Sequence, residues 1–166
     1  MKSRQTLAII GSGPSCVSLL KHLLDHAEAL RESLAAVEVF EKRQTTGMGM
    51  PYNPETTERW NMSNISSEEL PKMPVSLAEW LRGLTPERLE ELGIEHGEIS
   101  ESEVYSRLAL GEYLHAQYHT IMAGLAAAGI AAREHAHTTI VDVKEDAEKV
   151  PLFEDSGTRY TFDPVV

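Results

Sequence analysis

The chain has 166 residues, 42% hydrophobic and 25% charged, with 15 basic and 26 acidic side chains and a formal net charge of −11. That length suits one domain with a real core, and the acidic balance argues against nucleic acid or an anionic membrane as the main partner, since both call for a basic face. A single cysteine excludes an internal disulfide framework and fits a reducing, cytoplasmic setting, while the apolar run Leu7 to Ile10 is too short for a signal peptide or a membrane span.

Residues 6–10 form a short run rich in Leu and Ile, of the kind a buried parallel strand shows. Gly11, Ser12, Gly13, Pro14, Ser15 and Cys16 follow at once, and Val17, Leu20, Leu23, Leu24 and Ala27 then recur at helical spacing. Strand, glycine turn and helix is the order a dinucleotide pyrophosphate site needs. Gly11 permits the tight turn, Gly13 lets the backbone approach the phosphates, and the first helical turn offers free N–H groups to the negative charge. Cys16 stands where a third glycine is usual; it is small enough for close packing of helix on strand, though less close than glycine, and it reads as a packing residue rather than a redox thiol.

A second strand over residues 37–41 ends in Glu41, the position from which an acid holds an adenosine ribose. Glu41 lies further from the turn than the usual ~20 residues, and the extra length is assigned to a longer first helix whose apolar stripe continues through Ala27, Leu30 and Leu34. Agreement of strand, turn, helix and acid favours a dinucleotide site over a similar layer without nucleotide. The acid favours the free 2′-hydroxyl of FAD or NAD; Lys42 and Arg43 beside it reopen the 2′-phosphate of NADP, or serve as a solvated strand exit or a phosphate contact. The glycine loop over residues 45–54, with Gly49 and Met50, either wraps a cofactor or forms surface turns. Residues 60–66 read as a loop.

Residues 74–83 read as a short helix with Trp80 in the core, and Thr85-Pro86 starts another that Gly93 stops. The glutamates between positions 90 and 103 read as a solvated acidic surface. Ser100 or Ser102 opens a long helix to about Ala128, ended by Gly129, with Leu110, Leu114, Ile121, Leu125 and Ala128 buried. On that helix Arg107 has Glu103 four residues before it, a spacing suited to an ion pair. A third strand is expected over residues 131–136, then a meander over 139–143, 150–153 and 159–162 with a hairpin turn at 155–157. The expected fold is a three-layer α/β domain, a parallel sheet ordered 3-2-1 with the meander as crossover and a last strand beginning at Phe162. An incompletely covered outer edge of the first strand invites dimerisation, poor solubility or a further segment of chain. His22/His26, His115/His119 and His135/His137 each allow two metal ligands, but no third is indicated, so no metal site is assigned. Ser15 follows Pro14 in the turn, with no nucleophile-elbow pattern around it.

Four segments together carry a family resemblance: Ile9-Ile-Gly-Ser-Gly-Pro14, Val39-Phe-Glu-Lys-Arg43, Gly47-Met-Gly-Met-Pro-Tyr52 with Asn61 beyond it, and Arg107-Leu-Ala-Leu-Gly-Glu-Tyr-Leu114. The chain resembles the N-terminal part of the FAD-NAD(P)-binding family of bacterial flavoprotein-like proteins, which are distantly related to flavin monooxygenases. The resemblance implies a Rossmann-type domain holding the FAD pyrophosphate at Gly11, Ser12, Gly13, Pro14 and Ser15 and the ribose at Glu41, with the glycine loop and Asn61 near the cofactor. It lifts Arg107 as a contact to a phosphate or the flavin edge. The implied role is an FAD-binding module of a flavin-dependent, NAD(P)H-linked oxidoreductase or monooxygenase-like protein. No second glycine motif serves NAD(P)H, so catalysis by this stretch alone is not expected. The competing reading is a non-catalytic nucleotide-binding or protein-interaction module that keeps the fold; an NAD-dependent dehydrogenase domain is disfavoured by the long loops after Glu41.

Overall fold

A computed structural model describes residues 4–95, 98–144 and 149–162. Its frame is a parallel sheet of three strands, β1 (Gln5–Ile10), β2 (Leu34–Phe40) and β5 (Ala131–His135), in the order β1-β2-β5. This is the expected order, with the strand near residue 131 as the third. Ile10 lies beside Phe40 and Phe40 beside His135, so the three strands end side by side. Alternation along the strands then separates two faces. Leu7, Ile9, Val37 and Val39 join the main core on one face, while Ala8 and Phe40 join a smaller cluster on the other.

Helices α1 (Pro14–Asp25) and α5 (Arg107–Ala127) cover the first face. They lie so close that a Cβ on Gly124 of α5 would stand 3.0 Å from Leu24 Cδ2 of α1. The antiparallel meander β6 (Ile140–Val143), β7 (Val150–Glu154) and β8 (Arg159–Phe162) covers the second, with Leu152 and Phe162 buried on Phe40. Three layers result. Among the described residues β1 has β2 as its sheet partner on one side; the last strand expected from Phe162 onward falls on residues 163–166, outside the described ones.

Three expectations change. The first helix stops at Asp25; a short α2 (Ala27–Leu30) follows, and Leu34 opens β2 rather than extending a helix. The added length before Glu41 is thus a second helix and an earlier strand start. Residues 60–66 are not all loop: β3 (Met62–Ser66) pairs antiparallel with β4 (Val104–Ser106). That strand displaces the start of the long helix, which is capped by Ser106, whose Oγ accepts from the Ala109 N–H at 3.1 Å. Ser100 and Ser102 instead bond to each other in the preceding turn, where the Tyr105 hydroxyl donates to the Ser100 carbonyl at 3.0 Å. The helix expected over 74–83 forms as the shorter α3 (Leu77–Arg82), started by a Ser76/Glu79 capping box, and α4 (Pro86–Glu91) is capped by Thr85 as expected. Trp80 is half-buried, edge-on to Tyr113 at 6.0 Å.

Helix α5 also fixes the glycine loop, because Gly111 lets it cross the one-turn 3-10 helix Met50–Tyr52 against the Tyr52 carbonyl. A Cβ there would overlap that backbone oxygen. Gly111→Ala is therefore expected to lower stability by about 1–3 kcal/mol in a urea melt, although alanine favours helix by ~1 kcal/mol; an equal or higher midpoint would contradict the contact.

A candidate dinucleotide site at the glycine turn

The site begins where β1 ends. The Gly11 N–H donates to the Phe40 carbonyl at 2.8 Å, and Gly11 then turns with φ +91°, a conformation that excludes other residues at little strain. Gly13 caps α1 in extended conformation and Pro14 occupies the first helical position. No side chain caps this end and its first turn carries no acid. Its N–H groups and positive dipole end are therefore open to an anion. Ser15 is exposed on this turn; Cys16 is buried, and burial, assisted by Glu41, pushes its thiol up to about 12. The thiol stays protonated, and the helix terminus does not activate it.

Glu41 stands directly after β2, only 7% exposed. Its Oε2 accepts from the Ser12 N–H at 2.9 Å and the Ser12 hydroxyl at 2.8 Å, and its Oε1 accepts from the Arg43 N–H at 3.0 Å. Burial works against the charge, but the Arg43 and Ser12 N–H groups and the Ser12 hydroxyl outweigh it, and the carboxyl is held below its usual range. Ser12 is fully buried, and its Oγ also accepts the Gly47 N–H at 3.0 Å. The strand-end acid is thus bolted to the turn by the turn's own residues.

The glycine loop closes over this bolt. Thr46 donates to Glu134 Oε2 at 3.0 Å, and His115 Nδ1 donates to the Thr46 carbonyl at 2.7 Å. A Cβ on Gly49 would stand 3.1 Å from Gly13 Cα and 2.9 Å from Pro14 Cδ, so loop and turn meet backbone to backbone. Gly11, Gly13, Glu41, Arg43, Gly49 and Thr138 line a cleft of about 290 Å3, with Lys42 and the exposed side chains of Ile10 and Met50 at its edge. A larger cleft, about 360 Å3, lies elsewhere; Glu95, Glu98 and Glu103 line it, a charge unsuited to a phosphate.

The residues singled out from sequence divide into two groups. Gly11, Gly13, Glu41, Lys42, Arg43, Gly49 and Met50 line the cleft, with Ser12 beneath it and Pro14 and Ser15 beside it. Arg43 is partly committed, its Nε 3.2 Å from Glu55. Asn61 and Arg107 sit together apart from the cleft: the Arg107 N–H donates to the Asn61 carbonyl at 2.7 Å and its Nε to the Met62 carbonyl at 3.1 Å. The Glu103 pairing fails because Glu103 precedes β4, off the helix. Thr46, Glu134 and Thr138 were missed, and His115 was weighed only as half of a metal-ligand pair with His119; nothing in their spacing marks these contacts, since each acts across a long sequence separation. Among the described residues no three His, Cys, Asp or Glu side chains gather as a metal site. His22 and His26 lie 4.5 Å apart, as do His115 and His119, while His135 stacks on Phe40 and contacts Glu38.

Because the folded site holds the Glu41 carboxyl below its unfolded value of ~4.3, ionised Glu41 stabilises the fold fully above that value, and this contribution is lost as pH falls through the folded one. Glu41→Gln is expected to melt below wild type at pH 7, the gap closing below about pH 4. A gap that stays constant to pH 3 would show that the charge is not what the turn needs.

Comparison with known proteins bears on this geometry. A family model described as FAD-NAD(P)-binding matches residues 8–166. The uncharacterized protein YdhS of Escherichia coli K12 is 30% identical over 112 residues, covering 68% of this chain and 20% of that protein. Among solved structures, Tmm from Pelagibacter sp. strain HTCC7211 has a TM-score of 0.56 at 18% identity over 95% of this chain and 34% of its own. The bacillithiol disulfide reductase Bdr (YpdA) of Staphylococcus aureus has a TM-score of 0.51 at 16% identity, over 97% of this chain and 36% of its own. These likenesses establish a shared Rossmann-type fold, and the chain spans about a fifth of the curated relative's length. Among the described residues no helix is long and apolar enough to cross a membrane. The match across nearly the whole length settles the relationship: the chain belongs to the FAD-NAD(P)-binding family.

Proposed function

We propose that this chain is the FAD-binding domain of a longer, cytoplasmic, flavin-dependent and NAD(P)H-linked oxidoreductase or monooxygenase-like protein, and that residues 1–166 form one domain at its N-terminal side. The small share of its relatives that the chain covers supports the partial role. One observation carries the reading: an uncapped, acid-free helix N-terminus and a buried, charged Glu41 flank a single cleft with a glycine floor. An adenine dinucleotide has an anion and a ribose diol at a spacing that such a cleft can meet at once.

The residues fit the cofactor's ADP half. Gly11 and Gly13 bring backbone close to the pyrophosphate, the Ser15 turn of α1 faces its charge, and Gly49 and Met50 close the opposite wall. Glu41 Oε1, which among the described residues takes one donor where Oε2 takes two, keeps room for a ribose hydroxyl. Bound FAD would supply hydride and electron transfer; this chain's part is to bind and orient it. Asn61 and Arg107 stand two turns of α5 away from the His115 anchor of the glycine loop, so in this reading they serve the flavin end rather than the adenine end.

Purified protein titrated with FAD, and with ADP in competition, is expected to bind both in one site, giving bound-flavin absorbance that ADP displaces. Gly13→Val is expected to weaken both by at least about tenfold, since its side chain would fill the approach to the phosphates and press on Gly49. Wild-type protein that binds neither ligand would overturn the reading.

A further inference from the structure

Ser12 is fully buried beneath the cleft that its neighbours Gly11 and Gly13 line, and its hydroxyl both donates to and accepts from the protein. A hydroxyl has one proton to give and two lone pairs to receive. Here the proton goes to Glu41 Oε2 at 2.8 Å, and a lone pair takes the Gly47 N–H at 3.0 Å. We propose that Ser12 is a positioning residue for the ribose side of the dinucleotide site: its buried hydroxyl, itself held by the Gly47 N–H of the glycine loop, fixes the Glu41 carboxylate so that one of its oxygens is presented to the ribose. This inference rests on the reading of the cleft as a dinucleotide site, and it goes beyond it by assigning Ser12 no contact with the ligand.

Two features make this hold effective. Ser12 supplies both donors to Oε2, which leaves Oε1, with the Arg43 N–H as its donor among the described residues, as the oxygen available to a ribose hydroxyl. Ser12 therefore selects which carboxylate oxygen the ligand meets. On the other side, Gly47 has little freedom: a Cβ there would lie 2.9 Å from both His115 Cα and Tyr118 Cβ, and Thr46 is pinned by Glu134 and His115. Met48 is buried and Gly49 lies directly on Gly13, so the Gly47 N–H is a fixed anchor for the Ser12 hydroxyl.

The test is a comparison of ligands on wild type and Ser12→Ala by competition binding. Ser12→Ala is expected to weaken ADP about tenfold, a loss of the size a charge-assisted hydrogen bond gives. With 2′,3′-dideoxy-ADP, which has no ribose hydroxyl for Glu41, the penalty should fall to about threefold or less, whereas with adenosine, which has no phosphates, it should persist. The reverse pattern, a penalty that vanishes with adenosine and persists with the dideoxy ligand, would make Ser12 a phosphate ligand and overturn the proposal. An equal penalty on all three ligands would show general loosening of the fold and overturn it too. Should Ser12→Ala fold poorly, Ser12→Cys keeps nearly the same volume with a weaker donor and should show the same pattern at smaller amplitude. Wild-type protein that binds no ADP would overturn the site reading itself; wild-type binding with an unchanged Ser12→Ala overturns this inference alone.

Discussion

A carboxylate removed from water needs donors, and the way Glu41 finds its donors organises the functional end of this molecule. The Ser12 N–H and hydroxyl and the Arg43 N–H converge on it, so the end of β2, the turn after β1 and the residues beyond Glu41 are held in one arrangement. The backbone of Glu41 extends the same tie outward: its N–H donates to the His135 carbonyl at 3.0 Å and its carbonyl accepts from Thr138 at 2.8 Å. Three strand ends are thereby joined around one residue. The charge that is costly to bury is also the charge that holds the site's walls together.

The layers of the fold serve this arrangement. Parallel strands end together, so Gly11, Glu41 and the segment after His135 open onto the same edge of the sheet, the edge at which open α/β sheets accept ligands. Helix α5 acts as a spine on the other side. Its His115 turn holds the glycine loop, its Gly111 turn meets Tyr52, and its first turn meets Asn61 and Met62. One rigid element thus touches the glycine loop, the Tyr52 turn and the Asn61 segment, while Ser12 and Glu134 hold the loop from the sheet side.

What could be read from sequence was local. The strand–glycine–helix order and Glu41 at the next strand end were legible because each has a chemical reason tied to its immediate neighbours. The sheet order followed, since parallel strands joined by helices have few arrangements. Other features were hidden for physical reasons. Leu34 continues a helical spacing but is claimed by pairing with Gln5. Ser100, Ser102 and Ser106 all suit a helix start, and only the pairing of β4 with β3, some forty residues earlier in the chain, decides among them. Ser12 sits at a position whose side chain could point either way; a buried carboxylate and a loop N–H distant in sequence draw it inward. Asn61 and Arg107 entered through family resemblance and stand together, yet no local pattern placed them away from the cleft.

Backbone amide resonances followed during addition of ADP give the most direct test of the central claim, that the α1 terminus and the Glu41 staple form the two walls of one dinucleotide site. The account predicts saturable shifts at Gly13, Ser15, Cys16 and Arg43, with Asn61 and Arg107 left in place by ADP. Amides around Gly13 and Glu41 that stay unmoved at millimolar ADP, or shifts confined to the acidic cleft near Glu95, would contradict it.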